Sequence, residues 1–430
     1  MFTDQQISNQ WMSLKTIYTD ASPEVSVLVS GFMQRFTALW WQCNSRLPDG
    51  WPMLSPGEQT ACEREMDHFL GMISPMLRHP PQNQEKRLQT QAQLTSAARR
   101  TAKCVFGLSD AHLDALHIEE FTENVAEFAR MARRFDPLVS VADIYQAGRN
   151  VVTTHLLQLL WGLPVELNPA IFAYSMLYPY SDNYLDDPDL TPDDKLAFSE
   201  RFRQRLLGKD IQPANANEQR IFALVTMIEE QYERLSYPHV YGSLLAIHQG
   251  QTKSLAMLHK AGPYEVDVLG ISLEKGGTST LADGYLAAGN LTPLQAEFAF
   301  GLGAFLQLGD DLEDVLQDQK SGIQTVFTQN AAAWPLDGVT NRTMQFGLKV
   351  LELLEALKTP WILQDFIQKS LFQPFVTAIH RARWLYTKRY RRDVEALSAF
   401  RYSHLERQKR WLYRQRAAFG RVTEALMDDL

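Results

Sequence analysis

The chain is predicted to be all-α, and three observations carry that prediction. Apolar residues recur at spacings of three and four, as in Ile118 to Phe135 (IEEFTENVAEFARMARRF), the period of a helix with one buried face. Strand signals are nearly absent: alternating β-branched runs are few and no Asn-Gly hairpin joins them. The 430 residues are 45% hydrophobic and 21% charged, a globular composition long enough for one large or two ordinary domains.

Composition also narrows the function. With 42 basic and 50 acidic residues the net charge is −8, which gives no general case for nucleic-acid binding. The opening MFTDQQISNQ is polar, so no secretory signal is expected. No apolar run reaches the roughly 18 residues of a membrane span; Val151 to Val165 comes nearest but contains His155 and Gln158. Cys43, Cys62 and Cys104 are odd in number and far apart. Neither a disulfide framework nor a zinc site is expected, and a cytoplasmic location is the default.

Taken in order, residues 1 to about 75 read as helical and aromatic-rich, with Trp11, Trp40, Trp41 and Trp51. Trp40 and Trp41, inside GFMQRFTALWWQ, read as a core or packing face. Arg78 to Gln93 (RHPPQNQEKRLQTQAQ) reads as a linker. A soft boundary near residue 100 therefore separates an N-terminal helical extension (1–100), of no assigned role, from the rest of the chain (101–430). In PLVSVADIYQAGRNVVTTHLLQLLWG, Gln146, Arg149 and Asn150 make a polar step in an apolar helix. Arg149 can contact a phosphate or pair with a neighbouring carboxylate.

The next helix, IFAYSMLYPYSDNYLDDPDLTPDD, ends in acid. Asp182 and Asp186 stand at i and i+4 with Asn183 and Asp187 beside them. Pro188 should stop the helix at or near Asp187. The carboxylates then meet the negative end of the helix dipole and call for a cation. Asp189, Asp193 and Asp194 read as the cap of the following helix. After a loop at Lys209 to Asn217, the long segment Glu218 to Lys260 contains LLAIHQGQTKSLAML. Gly250 inside it costs about 1 kcal/mol relative to Ala, which suggests a close approach by another group. His248 reads as a core histidine. In GISLEKGGTS, Lys275 precedes Gly276-Gly277, either a surface turn or a flexible backbone that approaches an anion.

The densest acidic signal is FLQLGDDLEDVLQDQKSGIQT, Phe305 to Thr325. Asp310 and Asp314 are one turn apart, Asp318 has drifted about 40° further round, and Asp311 leans to the same rim. Lys320, Ser321 and Gly322 break the helix. Hard divalent cations offset such carboxylates, usually together with a substrate phosphate. Thr328 to Arg342 (TQNAAAWPLDGVTNR) reads as a loop. Ala382 to Arg416 holds eleven Lys and Arg interleaved with aromatics. This pattern suits a membrane surface, a polyanion, a lid over a phosphate mouth, or a solvated helix packing by its aromatic stripe.

Two Asp-rich helix ends in an all-α chain resemble the class I isoprenoid synthase superfamily. FLQLGDDLEDVLQD looks like the second Asp-rich motif of trans-prenyltransferases, here Gln307, Asp310, Asp311 and Asp314. HQGQTKSL resembles their Gly-Gln segment at Gly250 and Gln251, and EKGGTS their Lys-Thr segment at Lys275 and Thr278. The likeness covers about Ser140 to Thr325. It departs at the first motif, DNYLDD rather than DDxxD, and no GGKRxRP-like segment precedes it. These departures weigh against two-substrate elongation.

The resemblance implies a helical bundle around a central apolar cavity, lined by Tyr174, Tyr178, Phe305 and Gln307. It implies a cluster of three Mg²⁺ ions on Asp182, Asp186 and Asp187 and on Asp310, Asp311, Asp314 and Asp318. Of these, Asp182, Asp186, Asp310 and Asp314 would be catalytic. Arg149, Gln251, Lys253, Lys275 and Lys320 would bind the diphosphate of a prenyl substrate. The expected activity is that of a terpene synthase. A chain-elongating or head-to-head prenyltransferase and a non-catalytic lipid-diphosphate-binding protein are the alternatives. Peripheral membrane contact through the basic C-terminal segment, and a homodimer, are further partners that the sequence leaves open.

Overall fold

Proline and small polar residues start most of the helices, as their missing or competing hydrogen bonds favour. The computed structural model describes residues 23–49, 53–78, 84–187, 190–258 and 266–428. Trp11, Trp51 and Asp189 lie outside these residues, as do the side chains of Tyr178, Asp186 and Arg416. The helices are α1 (Pro23–Gln42), α2 (Pro56–Arg78), α3 (Gln84–Phe106), α4 (Asp110–Ala115), α5 (Ile118–Phe135), α6 (Val141–Leu160) and α7 (Pro169–Asp186). Next come α8 (Pro192–Leu206), α9 (Ala216–Gln231), α10 (Pro238–Ser254), α11 (Val268–Ala288), α12 (Pro293–Glu313), α13 (Val315–Ser321) and α14 (Val326–Ala331). The chain closes with α15 (Asp337–Leu351), α16 (Leu353–Ala356), α17 (Trp361–Ser370), α18 (Phe372–Arg381), α19 (Lys388–Leu397) and α20 (Tyr402–Asp428). No strand occurs among the described residues, so the protein is all-α. Among those residues no helix is long and apolar enough to cross a membrane.

Contacts divide the chain into two units. The first comprises residues up to Trp41 and Asn168–Gln307; the second comprises Gln42–Leu167 and Leu308–Leu430. Residue 100 falls inside α3.

In the first unit, α7 packs on α9 and on α11, and α10 packs on α11. Glycine sets the closeness of these crossings. A Cβ on Gly250 would meet the Lys275 Cα at 3.2 Å, so the group that approaches Gly250 is the backbone of α11. A Cβ on Gly276 would lie 2.3 Å from the Gly303 carbonyl oxygen, and one on Gly277 would lie 2.6 Å from the Phe300 ring. Phe300 in turn meets Phe32 and Phe36 of α1 at 5.4 and 5.8 Å, and Arg35 pairs with Glu297 at 2.5 Å. Thus α1, inside the N-terminal extension, is built into this unit. Trp40 is buried as expected, whereas Trp41 is exposed. The fully buried Glu218 is clamped by Arg201 through Nε and Nη2, as a buried carboxylate requires.

In the second unit, α2 packs on α3 and on α20. Glu63 is ion-paired to Arg401, and Asp67 accepts from His404 Nε2 at 2.9 Å. The buried His112 bridges Ser109 Oγ and Asp365 Oδ2, each at 2.7 Å. In the C-terminal segment Tyr386 and Tyr390 stack at 5.5 Å, both buried along with Phe400. Part of the aromatic stripe there packs, while Trp384 and Tyr413 are exposed.

Four expectations are corrected. The Gln-rich run from Gln84 is the start of α3, because Gln, Glu, Lys, Arg and Leu are good helix formers and polarity alone does not make a linker. Thr328–Arg342 is largely helical, in α14 and α15; the capping box of Thr325 and Thr328 starts the first of them. Lys275-Gly276-Gly277 is neither a turn nor a flexible backbone but the middle of α11, where the glycines are buried contact points. Cys62 and Cys104 form a disulfide with a Cα separation of 5.2 Å, since the α2–α3 pairing brings together residues 42 apart in sequence. Cys43 is free and buried.

Candidate functional site

The first aspartate end closes α7. Asn168 caps the start of this helix and Pro169 occupies its first turn, and Asp187 stands at the C-cap before Pro188. The helix stops where the proline requires. Thr191 caps α8, with Asp194 completing its capping box. Asp182 lies in the last turns of α7 and is buried. Gln251 Nε2 donates to its Oδ1 at 2.6 Å, and Ser181 Oγ lies 3.5 Å from the same oxygen. The donor is delivered by α10, which reaches this depth because Gly250 lets α11 press against it. His248, three residues before Gln251, is buried beside Ser199 Oγ at 3.4 Å. Burial pushes its pKa down to about 4, with the Arg203 charge adding and Glu200 opposing. It is a core histidine, as the sequence suggested.

Around this end, Asp187 is half-buried and Asn183 exposed. Lys253 Nζ donates to both oxygens of Glu274 at 2.7 and 2.8 Å. Thr278 hydroxyl donates to the Glu274 carbonyl at 2.6 Å, and Lys275 on the same helix is half-buried. Gln307 packs over Gly276, where an added Cβ would come within 2.4 Å of its own Cβ. Tyr174 and Phe305 are buried, and the Tyr174 hydroxyl donates to the Ser279 carbonyl at 3.2 Å.

The second end belongs to the other unit. Asp310 and Asp311 finish α12, and Asp314 occupies the junction with α13 at φ −92°, ψ 2°. The chain stays wound through it: Asp314 N–H donates to the Asp310 carbonyl, and Asp318 N–H to that of Asp314, each at 2.9 Å. Gly322, at φ 77°, ends α13 in the left-handed conformation that glycine adopts most readily. Asp311 is buried and Asp318 half-buried, and Lys320 is exposed. Arg149 Nη2 donates to Asp310 Oδ1 at 2.9 Å, with side chains 59% and 47% exposed, so water screens the pair. Of the two roles open to Arg149, the carboxylate pairing is the one observed. Arg381 similarly pairs with Glu313 at 2.5 Å. Asp314 keeps a raised pKa. Asp314 is itself exposed; desolvation leads the shift, and the Asp310 and Glu313 charges follow, while Arg149 and Arg381 pull it down.

Sequence reasoning missed Glu274, Glu313 and Arg381. Glu313 sits within the acidic motif itself, and Glu274 adjoins Lys275, so both could have been noted. Arg381 has no local signal. The donors at both ends are oxygens, mostly carboxylates, the set a hard divalent cation takes. The raised Asp314 pKa marks charge that a cation would offset. Among the described residues, no group of three or more His, Cys, Asp or Glu is gathered closely enough to hold a metal ion. No protein-family model, curated protein or solved structure matches the chain.

Proposed function

We propose that the protein is a Mg²⁺-dependent class I terpene synthase that ionises a linear allylic prenyl diphosphate and releases diphosphate. One observation carries the reading. Within the first unit, Gln251 donates to Asp182 and Gly250 lies against Lys275 and Thr278. The first acidic motif, the Gly-Gln segment and the Lys-Thr segment are distant in sequence, and the resemblance selects all three.

In this reading the metal ligands are Asp182, Asp186 and Asp187 of the first acidic motif and Asp310, Asp311, Asp314 and Asp318 of the second. Bound Mg²⁺ would supply the positive charge that lets an anionic diphosphate depart. The remaining work falls to the chain's own groups. Gln251 fixes the Asp182 carboxylate in one rotamer. Arg149, more than half exposed, can exchange Asp310 for a phosphate oxygen, a bidentate acceptor that guanidinium fits well. Lys275 and Lys320 are further cations for the leaving group, and Lys253 would have to release Glu274 to join them. Tyr174 and Phe305 would form the apolar, water-free lining that a carbocation needs, their rings stabilising its charge.

The test is pyrophosphate release with Mg²⁺ from ten-, fifteen- and twenty-carbon and longer allylic diphosphates, supplied singly, with analysis of organic extracts. Release from one substrate, with a cyclic or rearranged hydrocarbon or alcohol extracted, is the expected result. Release only after isopentenyl diphosphate is added would replace the reading with a prenyltransferase. Binding without release would replace it with a non-catalytic diphosphate-binding protein. Asp182→Ala and Asp310→Ala should each abolish turnover with helicity retained, and full activity in both would overturn the ligand assignment.

A cytoplasmic location belongs to the same reading, and the Cys62–Cys104 bridge is the observation against it, because such bonds persist in oxidising compartments. Alkylation of thiols at lysis, followed by mass spectrometry, distinguishes them. Free Cys62 and Cys104 would support the cytoplasm, and a protected bridge would exclude a reducing compartment.

A further inference from the structure

Helix α20 carries arginines that neither the packing nor the aspartate ends use. Arg407, Arg410 and Arg414 are spaced three and four apart, so their guanidinium groups share one face. With Gln408 and Trp411, and with Asp67, Leu70 and Gly71 of α2, they line a cavity of 520 Å³. That volume lies within the range of small-ligand sites, about 300–1,000 Å³. The two walls are held in register by the bond from His404 Nε2 to Asp67 Oδ1 at 2.9 Å and by the ion pair of Arg401 with Glu63.

The charge state of this cavity sets it apart. The chain has an acidic excess, with net charge −8, and several arginines of both units have carboxylate partners, among them Arg130, Arg201, Arg234 and Arg383. Among the described residues, Arg407 and Arg414 have no such partner, and Arg410 donates to the Glu406 carbonyl of its own helix at 3.2 Å. Three guanidinium groups on one wall, none with a carboxylate partner among the described residues, suit an oxyanion with several acceptor oxygens, which planar forks bind through paired bonds. Asp67, tied to His404, disfavours a second anionic group on the same ligand and accepts from a hydroxyl or ammonium group. Trp411 and Leu70 supply an apolar surface. A single open pocket of this size in an acidic protein does not suit a nucleic-acid backbone, which needs a track of phosphate contacts.

We infer that this cavity binds a phosphate ester. Arg407, Arg410 and Arg414 hold the phosphate, and Asp67 receives a hydroxyl or ammonium group of the same molecule. Two sources share this chemistry, a soluble phosphate ester and a phospholipid headgroup. Trp411 and Leu70, which line the pocket together with the arginines, would meet the interfacial region of the lipid in the second case.

The experiment uses the full chain in EDTA, so that metal-dependent binding at the aspartate ends is silent. Two probes are titrated: glycerol 3-phosphate by calorimetry, and phosphatidylcholine vesicles with and without phosphatidylglycerol by sedimentation. Saturable binding of at least one probe is expected. The double variant Arg407→Gln, Arg414→Gln should weaken it by about tenfold or more, as loss of charge-assisted bonds implies. The double variant Lys388→Gln, Arg389→Gln removes the same charge from exposed positions on α19 outside the cavity and should leave binding unchanged. Binding of glycerol 3-phosphate identifies a soluble ester, and binding of phosphatidylglycerol vesicles alone identifies a headgroup. Absence of saturable binding to either probe, or equal weakening by both double variants, would overturn the inference.

Discussion

The two aspartate ends read alike as sequence, each an apolar helix closing on carboxylates at i and i+4, yet the folded chain treats them differently. Asp182 is buried and takes a hydrogen bond from a neutral amide, Gln251. Asp310 is nearly half exposed and takes one from a guanidinium, Arg149. Burying a guanidinium beside Asp182 would add a second desolvated charge, whose cost often exceeds the attraction gained. An amide donor avoids that cost. At the solvent-facing end, hydration is retained and an arginine can pair without it. The spacing of the acids therefore decides where charge accumulates, and burial decides what offsets it.

The difference should appear most strongly in acid. His248 supports the first end on α10 and its pKa lies at about 4, against an ordinary 6.5. Because the folded value is depressed, the unfolded chain binds the extra proton as pH falls between these values. Stability is then lost on acidification from 6.5 towards 4 and is fully present above 6.5. The loss is on the order of 3 kcal/mol. Urea unfolding at pH 7 and pH 4.5 should show a drop in wild type that His248→Gln reduces. Equal drops in both proteins would mean that the histidine is not held neutral by burial.

Single substitutions sharpen the contrast at constant pH. Gln251→Leu removes a donor from a buried carboxylate and should cost about 1.5–3 kcal/mol, the range for bonds to charged groups. Arg149→Leu removes a full positive charge but from an exposed pair, and should cost less than about 1 kcal/mol. Chemical denaturation of the two variants measures both. A larger loss for Arg149→Leu would reverse the comparison and point to a second end less hydrated than its exposure indicates.

These ends were legible in the sequence because their signals are local. Pro188 stops α7 where it must, Gly322 ends α13, and Gly250 marks a close approach that α11 makes. What escaped was set by partners far along the chain. Gly276 and Gly277 looked like a turn because glycine usually marks one. Their role depends on Gly303 and Phe300, which no window around EKGGTS contains. The Cys62–Cys104 bridge depends on α3 pairing with α2, and the Gln-rich start of α3 had been read as a linker. The resemblance made Lys253 a phosphate contact, and the residues around Arg149 left it between a phosphate and a carboxylate; each faces a carboxylate that only the tertiary structure supplies.

The smallest effect concerns Asp314, and its sign is opposite to that of His248. Its pKa is raised, by desolvation first and then by Asp310 and Glu313, so the folded chain holds the proton more tightly than the unfolded one. Stability is therefore greatest below the ordinary aspartate value and declines as pH rises through the raised folded value. Asp314→Asn keeps the shape and removes the charge. In EDTA at neutral pH the variant should melt slightly above wild type, and the gap should close at about pH 3, where a carboxyl of ordinary pKa is mostly protonated. Millimolar Mg²⁺ should then raise the wild-type midpoint more than that of the variant, because a cation bound by the folded state stabilises it and Asn carries no negative charge. A variant that melts below wild type in EDTA would mean that the Asp314 carboxylate is already offset by its neighbours, leaving the second end no unmet demand for a cation.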